Sequence, residues 1–209
     1  MNLPKISVIM PSFNVRAYIE ECLQSVICQS LKEIEILCID AGSTDGTLEI
    51  LEDFATQDNR IHIIHSDLRS YGYQMNLGLD AAQGLYIGVV ETDDYILPDM
   101  FETLFNKAYS QQADIVKADY ACFYGDGKSR YFEYKNICPK SSLYEKVLNP
   151  AFERTVFNAG LYTWAGIYRT DFLRQNNIRH HQTPGASYQD NGFWFQCFTQ
   201  AERVVFIKK

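Results

Sequence analysis

Leu85-Tyr86-Ile87-Gly88-Val89-Val90-Glu91-Thr92-Asp93-Asp94-Tyr95 is the stretch that decides the fold. An apolar run drives into three acids within four residues, and Pro98 follows with a helical pattern behind it. A buried strand that ends this way puts fixed negative charge at one edge of a sheet. Carboxylates so close repel, because ionising one disfavours ionising the next. A divalent, oxygen-seeking cation relieves that repulsion and commonly bridges to phosphates. A solvated acidic turn is the alternative that the stretch alone leaves open.

Upstream, apolar runs alternate with helical periodicity. Ile6 to Met10 reads as a buried strand broken by Pro11-Ser12-Phe13-Asn14. From Val15 to Gln29 the pairs Tyr18/Ile19, Cys22/Leu23 and Val26/Ile27 recur at helical spacing, with Asn14 placed to cap. Ile34 to Ile39 is a second strand ending at Asp40, and Leu48, Leu51 and Phe54/Ala55 line the next helix. In the turn between them Gly42 and Gly46 permit the bend while Thr44 or Asp45 caps the helix. Ile61 to Ile64 is a third strand, and Met75, Leu79 and Ala82 mark a helix closed by Gly84. Strands alternating with helices predict βαβ units, hence an α/β fold with a mostly parallel sheet. Ligands of such sheets bind beyond the carboxyl ends of the strands. Four polar loops therefore converge on one rim: 11–14, Asp40 with Gly42-Ser43, 67–72, and 91–94. Arg69, Ser70, Tyr71 and Gln74 are the binding candidates of the third loop.

Downstream the pattern changes. Met100-Phe101, Leu104-Phe105 and Ala108 give the apolar face of a helix starting at Pro98. Ile115 to Tyr124 reads as one strand that turns at Gly125-Asp126-Gly127 into Tyr131 to Tyr134. Asn149-Pro150 breaks a short helix. Trp164 and Tyr168 precede a helix from Thr170 to about Asn176-Asn177, and the loop 180–188 runs into Gln189-Asp190 and the apolar Phe193 to Phe198. Arg203 to Ile207 reads as a final strand with no closing element behind it.

A net charge of -7 without any Lys/Arg-rich run argues against a nucleic-acid polymer as partner. Neither G-x-G-x-x-G nor a Walker P-loop is present. Six cysteines without a C-x-x-C pair, and no signal peptide, read as reduced thiols in a cytoplasmic protein. No apolar run is long enough to cross a bilayer, which leaves peripheral attachment at the inner membrane face open.

Taken in order, the motifs resemble the family-two inverting glycosyltransferases of the GT-A fold. Ile6 to Asn14 is similar to the family's first strand and P-x-[YF]-N loop, and Ile39 to Thr47 to its D-D-G-S-T-D-G-T turn. Asn76-x-Gly78 and Ala82-x-Gly84-x-Tyr86-Ile87 resemble the third-helix pattern, Glu91-Thr92-Asp93-Asp94 the D-x-D-D metal motif, and Gln189-Asp190 the E-D pair. The resemblance implies a Rossmann-like, mostly parallel central sheet with helices on both faces and a smaller acceptor-side subdomain. Residues 1–98 would form the nucleotide-sugar-binding half and 99–209 the acceptor-binding half of one domain, in a natural protein that continues past Lys209.

The implied chemistry is transfer from a nucleotide-sugar, a UDP-sugar first, to a glycan or glycolipid acceptor in cell-surface polysaccharide or glycolipid synthesis. Pro11, Ser12, Phe13, Asn14, Asp40 and Ser43 are the expected donor contacts of the first two loops. Arg69, Gln74, Asn76, Glu91 and Thr92 are those of the third and fourth. Asp93 is the expected direct ligand of Mn2+ or Mg2+, with Glu91 acting through water or on the ribose and Asp94 ordering the loop. Asp190 is the expected base that takes the acceptor proton. Trp164, His181 and Tyr188 are candidate acceptor contacts, Trp164 fitting a core position equally well.

Three residues depart from the family pattern. Ala41 stands where a second Asp usually contacts the base, Glu91 replaces an Asp, and Gln189 replaces an acid. The last change removes a charge beside Asp190 and eases its ionisation. A nucleotidyltransferase is a rival, but it calls for a basic, Gly-rich loop after the first strand, which 11–14 is not. A catalytically silent nucleotide- or glycan-binding module is the other rival. The three departures suit it, and intact Asp93 and Asp190 oppose it.

Overall fold

The computed structural model describes residues 3–125 and 129–208. The first half alternates β1 (Ile6–Ser12), α1 (Ile19–Ile27), β2 (Ile34–Asp40), α2 (Thr47–Gln57), β3 (Ile61–His65), α3 (Tyr71–Ala81) and β4 (Tyr86–Val89). The second half holds α4 (Met100–Gln111), β5 (Ile115–Ala118), β6 (Tyr120–Tyr124), β7 (Tyr131–Lys135), β8 (Val147–Leu148), β9 (Gly166–Arg169), α5 (Thr170–Gln175), α6 (Gln189–Gln200) and β10 (Val204–Ile207). Eight strands form one sheet in the order β3-β2-β1-β4-β9-β5-β10-β8, while β6 and β7 pair separately. β1 runs parallel to both β2 and β4, β2 to β3, and β10 to β5. Within the eight-stranded sheet β9 and β8 run against their neighbours, and β6 and β7 are antiparallel to each other.

Period-two alternation decides which core each side chain joins. Ile6, Val8 and Met10 point to the face covered by α1, α2 and α4, where Leu23, Leu51 and Phe101 are buried. Ile9 points to the other face, packed by Met75, Leu79, Phe172, Phe193 and Trp194 of α3, α5 and α6. Helices therefore cover both faces, and buried strands of this kind read as continuous apolar runs.

Local expectations are corrected in several places. β1 continues through Pro11 and Ser12, in register with Ile39 and Asp40 of β2. On its other side β4 has already ended, so Pro11 forfeits no ladder bond. Asn14 does not cap α1, which begins at Ile19; it lies at φ 53 and bonds the neighbouring turn instead. Neither Thr44 nor Asp45 is the N-cap of α2, a place taken by Gly46 at φ 100, although Asp45 just before it accepts from Thr47 N at 3.0 Å. α3 ends with its cap at Ala82, so Gly84 is not the terminator. A Cβ there would lie 2.5 Å from Ser7 N, and Gly84 is needed for its close approach to β1. The stretch 115–124 is two strands broken at Asp119, and the Asp126-Gly127 turn lies outside the described residues. Before Asn149-Pro150 stands β8 rather than a helix, and β9 is an unexpected strand between β4 and β5.

Candidate active site

The strand ends bring the polar loops to one rim, where the first two are laced together. Asn14 N donates to Ser43 Oγ at 2.9 Å, and Asn14 Oδ1 accepts from Thr44 N at 2.8 Å. Asp40 is fully buried and accepts from Gly42 N and Ser43 N, both at 2.9 Å, and from Ser43 Oγ at 2.5 Å. Both of its carboxyl oxygens are thus committed to its own turn. Gln74 Nε2 joins the ends of β1 and β2, donating to Ser12 O at 3.0 Å and Ile39 O at 2.7 Å. Thr92 Oγ1 donates to Pro11 O at 2.9 Å. Buried polar groups must find partners, and these find them in adjacent backbone. Ser12 Oγ is the exception, buried without a partner among the described residues. Phe13 is exposed, and the Arg69 guanidinium sits 4.7 Å over its ring, an attractive cation–π arrangement.

The loop after β4 is built differently. Glu91 is half-buried, and the Tyr71 phenol donates to its Oε1 at 2.7 Å. Burial raises the Glu91 carboxyl to about 7; the Tyr71 bond opposes that rise, while the charges of Asp93, Asp94 and Asp190 add to it. Burial, followed by the charge of Asp93, raises Asp94 to about 6. Asp93 itself is exposed and accepts no hydrogen bond among the described residues. Among those residues no group of three or more His, Cys, Asp or Glu gathers as a self-contained metal centre. One exposed acid with two raised neighbours still fits a hard divalent cation, whose other ligands are commonly water and phosphate oxygens.

The loop 180–188 straps across the start of α3. Asn76 and the His180 backbone exchange two bonds, at 2.9 and 3.0 Å. Ser70 Oγ donates to Thr183 O at 2.6 Å, Gly185 N to Arg69 O at 2.9 Å, and Tyr71 N to Gly185 O at 2.9 Å. Gln189 is buried, and its Nε2 lies 3.2 Å from Thr183 O, 2.8 Å from Thr183 Oγ1 and 3.0 Å from Gly185 O. A carboxylate could not donate to those carbonyls, so the amide at 189 does more than remove a charge. The strap delivers Asp190 to the first turn of α6, half-buried, with its charge felt by both Glu91 and Tyr71.

The structure thus brings Glu91, Tyr71 and Asp190 together with Asp93 on the open side. Tyr71, one of four loop candidates, is singled out. Thr163, not anticipated, lies within hydrogen-bond reach of the Tyr71 phenol. The same loop carries Trp164, half-buried against Tyr120 and Tyr162. His181 and Tyr188 are exposed, Tyr188 by 83%, and their side chains make no hydrogen bond among the described residues.

Known proteins share this arrangement of chain. The profile of Glycosyl transferase family 2 matches residues 7–186. EpsJ of Bacillus subtilis (strain 168), an uncharacterized glycosyltransferase, is 32% identical over 211 residues, covering 98% of this chain and 59% of EpsJ. S. aureus TarS, solved with UDP, superposes with a TM-score of 0.79 at 24% identity, over 97% of this chain and 57% of that one. The Pyrobaculum calidifontis mannosyltransferase PcManGT, solved with GDP-Man and Mn2+, gives 0.64 at 16% identity, over 100% and 57%. The architecture is the GT-A fold of TarS, and the chain spans little more than half the length of these proteins.

Proposed function

This chain belongs to glycosyl transferase family 2, and on that premise we propose that it moves a sugar from a nucleotide-sugar to an acceptor hydroxyl with inversion at the anomeric carbon. The support is the meeting of Asp190 with the Glu91–Tyr71 pair at the strand-end rim, beside exposed Asp93. Asp190 takes the proton of the attacking hydroxyl; a carboxylate opposite the leaving group is placed for that when within hydrogen-bond reach. Attack from the face opposite the diphosphate gives inversion.

Asp93 is the residue to hold Mn2+ or Mg2+, with Glu91 behind it through water or on the ribose. Such an ion, when bound, would supply positive charge against the negative charge developing on the departing diphosphate. Tyr71 keeps Glu91 aimed at the rim. Phe13 and Arg69 flank the nucleotide base. Asp40 and Ser43 act by shaping the turn whose backbone lies beside it. Residues 1–98 serve the donor and 99–209 the acceptor, a growing cell-surface glycan or a glycolipid at the inner membrane face. Among the described residues no helix is long and apolar enough to cross a membrane.

TarS was solved with UDP-GlcNAc and PcManGT with GDP-Man and Mn2+, which makes UDP-sugars the first donors to try and GDP-mannose the next. Incubating the protein with each donor and MnCl2 should release nucleoside diphosphate from at least one, and D190N should not. Binding without turnover of any donor would favour a silent module instead.

A further inference from the structure

Lys117 is a buried cation without an acidic partner among the described residues. It sits in β5 with no exposed surface, directly across from Gly166 of β9. A Cβ at 166 would lie 2.8 Å from Lys117 Cδ, so the glycine makes room for the lysine stem. A buried ammonium is costly unless its protons are all taken. Here Nζ donates to Tyr162 O, to Thr163 O at 3.2 Å and to the Tyr168 phenol oxygen at 3.0 Å. The Tyr168 hydroxyl in turn donates to Thr163 O at 3.1 Å. Burial brings the ammonium down to about 7.

These bonds draw the carbonyls of 162 and 163 inward and fix the loop that carries Tyr162 and Trp164, whose rings pack with that of Tyr120 in β6. Tyr120 lies 5.0 Å from Tyr162 and 5.1 Å from Trp164, centroid to centroid, and Tyr162 lies 5.0 Å from Trp164. Tyr162 is 39% exposed and Trp164 half-buried, so the cluster presents a face to solvent. Because β9 runs against β4 and β5, the residues just before it stand at the same rim as Glu91. Thr163, between Tyr162 and Trp164 in the chain, reaches the Tyr71 phenol, which in turn donates to Glu91 at 2.7 Å. Aromatic faces with polar tips suit ligands that are apolar on one side and wet on the other, as a pyranose ring is.

We infer that Tyr120, Tyr162 and Trp164 form an acceptor subsite, a platform for a pyranose ring, and that Lys117 is the positioning residue that fixes it beside Glu91 and Asp190. The assignment of the platform to the acceptor rests on the glycosyl-transfer reading above. Trp164 and Trp194 are the two tryptophans, and Trp194 is fully buried against Phe198. A sugar on the platform should therefore alter the emission of Trp164.

The test is to titrate the protein with methyl glycosides of glucose, galactose and N-acetylglucosamine, and separately with UDP. The expected result is a saturable emission change with at least one glycoside, lost in W164F and weakened about tenfold in Y162A and K117M. K117R should restore part of the affinity, and UDP binding should be unchanged throughout. Y162A alters a partly exposed side chain and carries the test if K117M does not fold. No response to any glycoside, a response that survives W164F, or wild-type affinity in Y162A would overturn the platform. A retained glycoside response with no turnover of any nucleotide-sugar would sink the transfer reading and leave the platform standing.

Discussion

The loops after β1 and β2 and the loop after β4 share one rim but use their polar side chains in opposite ways. Asp40, Ser43 and Asn14 are bonded to one another or to adjacent backbone. Gln74 likewise ties two strand ends together. Their chemistry is satisfied before any ligand arrives. Around Glu91, burial and the neighbouring acid charges raise the carboxyls of Glu91 and Asp94, and Asp93 stands exposed. A family motif can therefore mark either a frame or a reacting centre, and bonding separates the two. Changes in the first region should lower stability, and changes in the second should lower activity at constant stability.

The largest expected effect is that of D190N. Transfer should fall about 100- to 10,000-fold, the usual contribution of a general base, with an unchanged melting temperature. A D190N protein that melted early would erase the contrast. Next comes D40A, which strips three bonds from a buried turn. Chemical denaturation should show a loss of about 3 kcal/mol. Wild-type stability in D40A would mean that the turn holds without its carboxylate.

N76A crosses the divide, because Asn76 anchors the strap that carries Asp190. It should cost about 2 kcal/mol of stability and also lower kcat more than it raises the donor KM. An effect on stability alone would uncouple the strap from catalysis.

The smallest effect is a pH slope from Lys117. Its folded pKa lies near 7, below the ordinary value of 10.5, so the unfolded chain binds more protons between those values. Stability contributed by this group should therefore rise with pH through that window, by at most about 1.4 kcal/mol per unit. Denaturation curves of K117M should show a flatter rise over the same range. Equal slopes in the two proteins would place the lysine's proton elsewhere.

Much of the first half was legible because its strands and helices are local and strongly periodic. Apolar runs 34–39 and 61–64 became β2 and β3 within one residue. The second half was less so. Gly166-Ile167-Tyr168-Arg169 has no alternation to mark it, and β9 exists because β4 and β5 leave a gap between them. Asp119 breaks 115–124 into two strands by accepting from Ile137 N and Tyr144, contacts far along the chain. The same limit applies at the rim. The positions of Glu91, Asp93 and Asp190 were readable from motif order. The Tyr71–Glu91 bond depends on how α3 docks beside the end of β4, and the work of Gln189 depends on where the strap's carbonyls point. Neither leaves a local pattern in sequence.

The central claim is that the acids after β4 and Asp190 form one inverting transfer site. The most direct measurement is 1H NMR of the wild-type protein with an α-linked UDP-sugar and diamagnetic Mg2+, following the anomeric signals from the first minutes. The account predicts that the β-anomer appears first, whether as free sugar or glycoside, and that neither D190N nor D93N produces it. An α-anomer appearing first, or undiminished turnover by D190N, would contradict it.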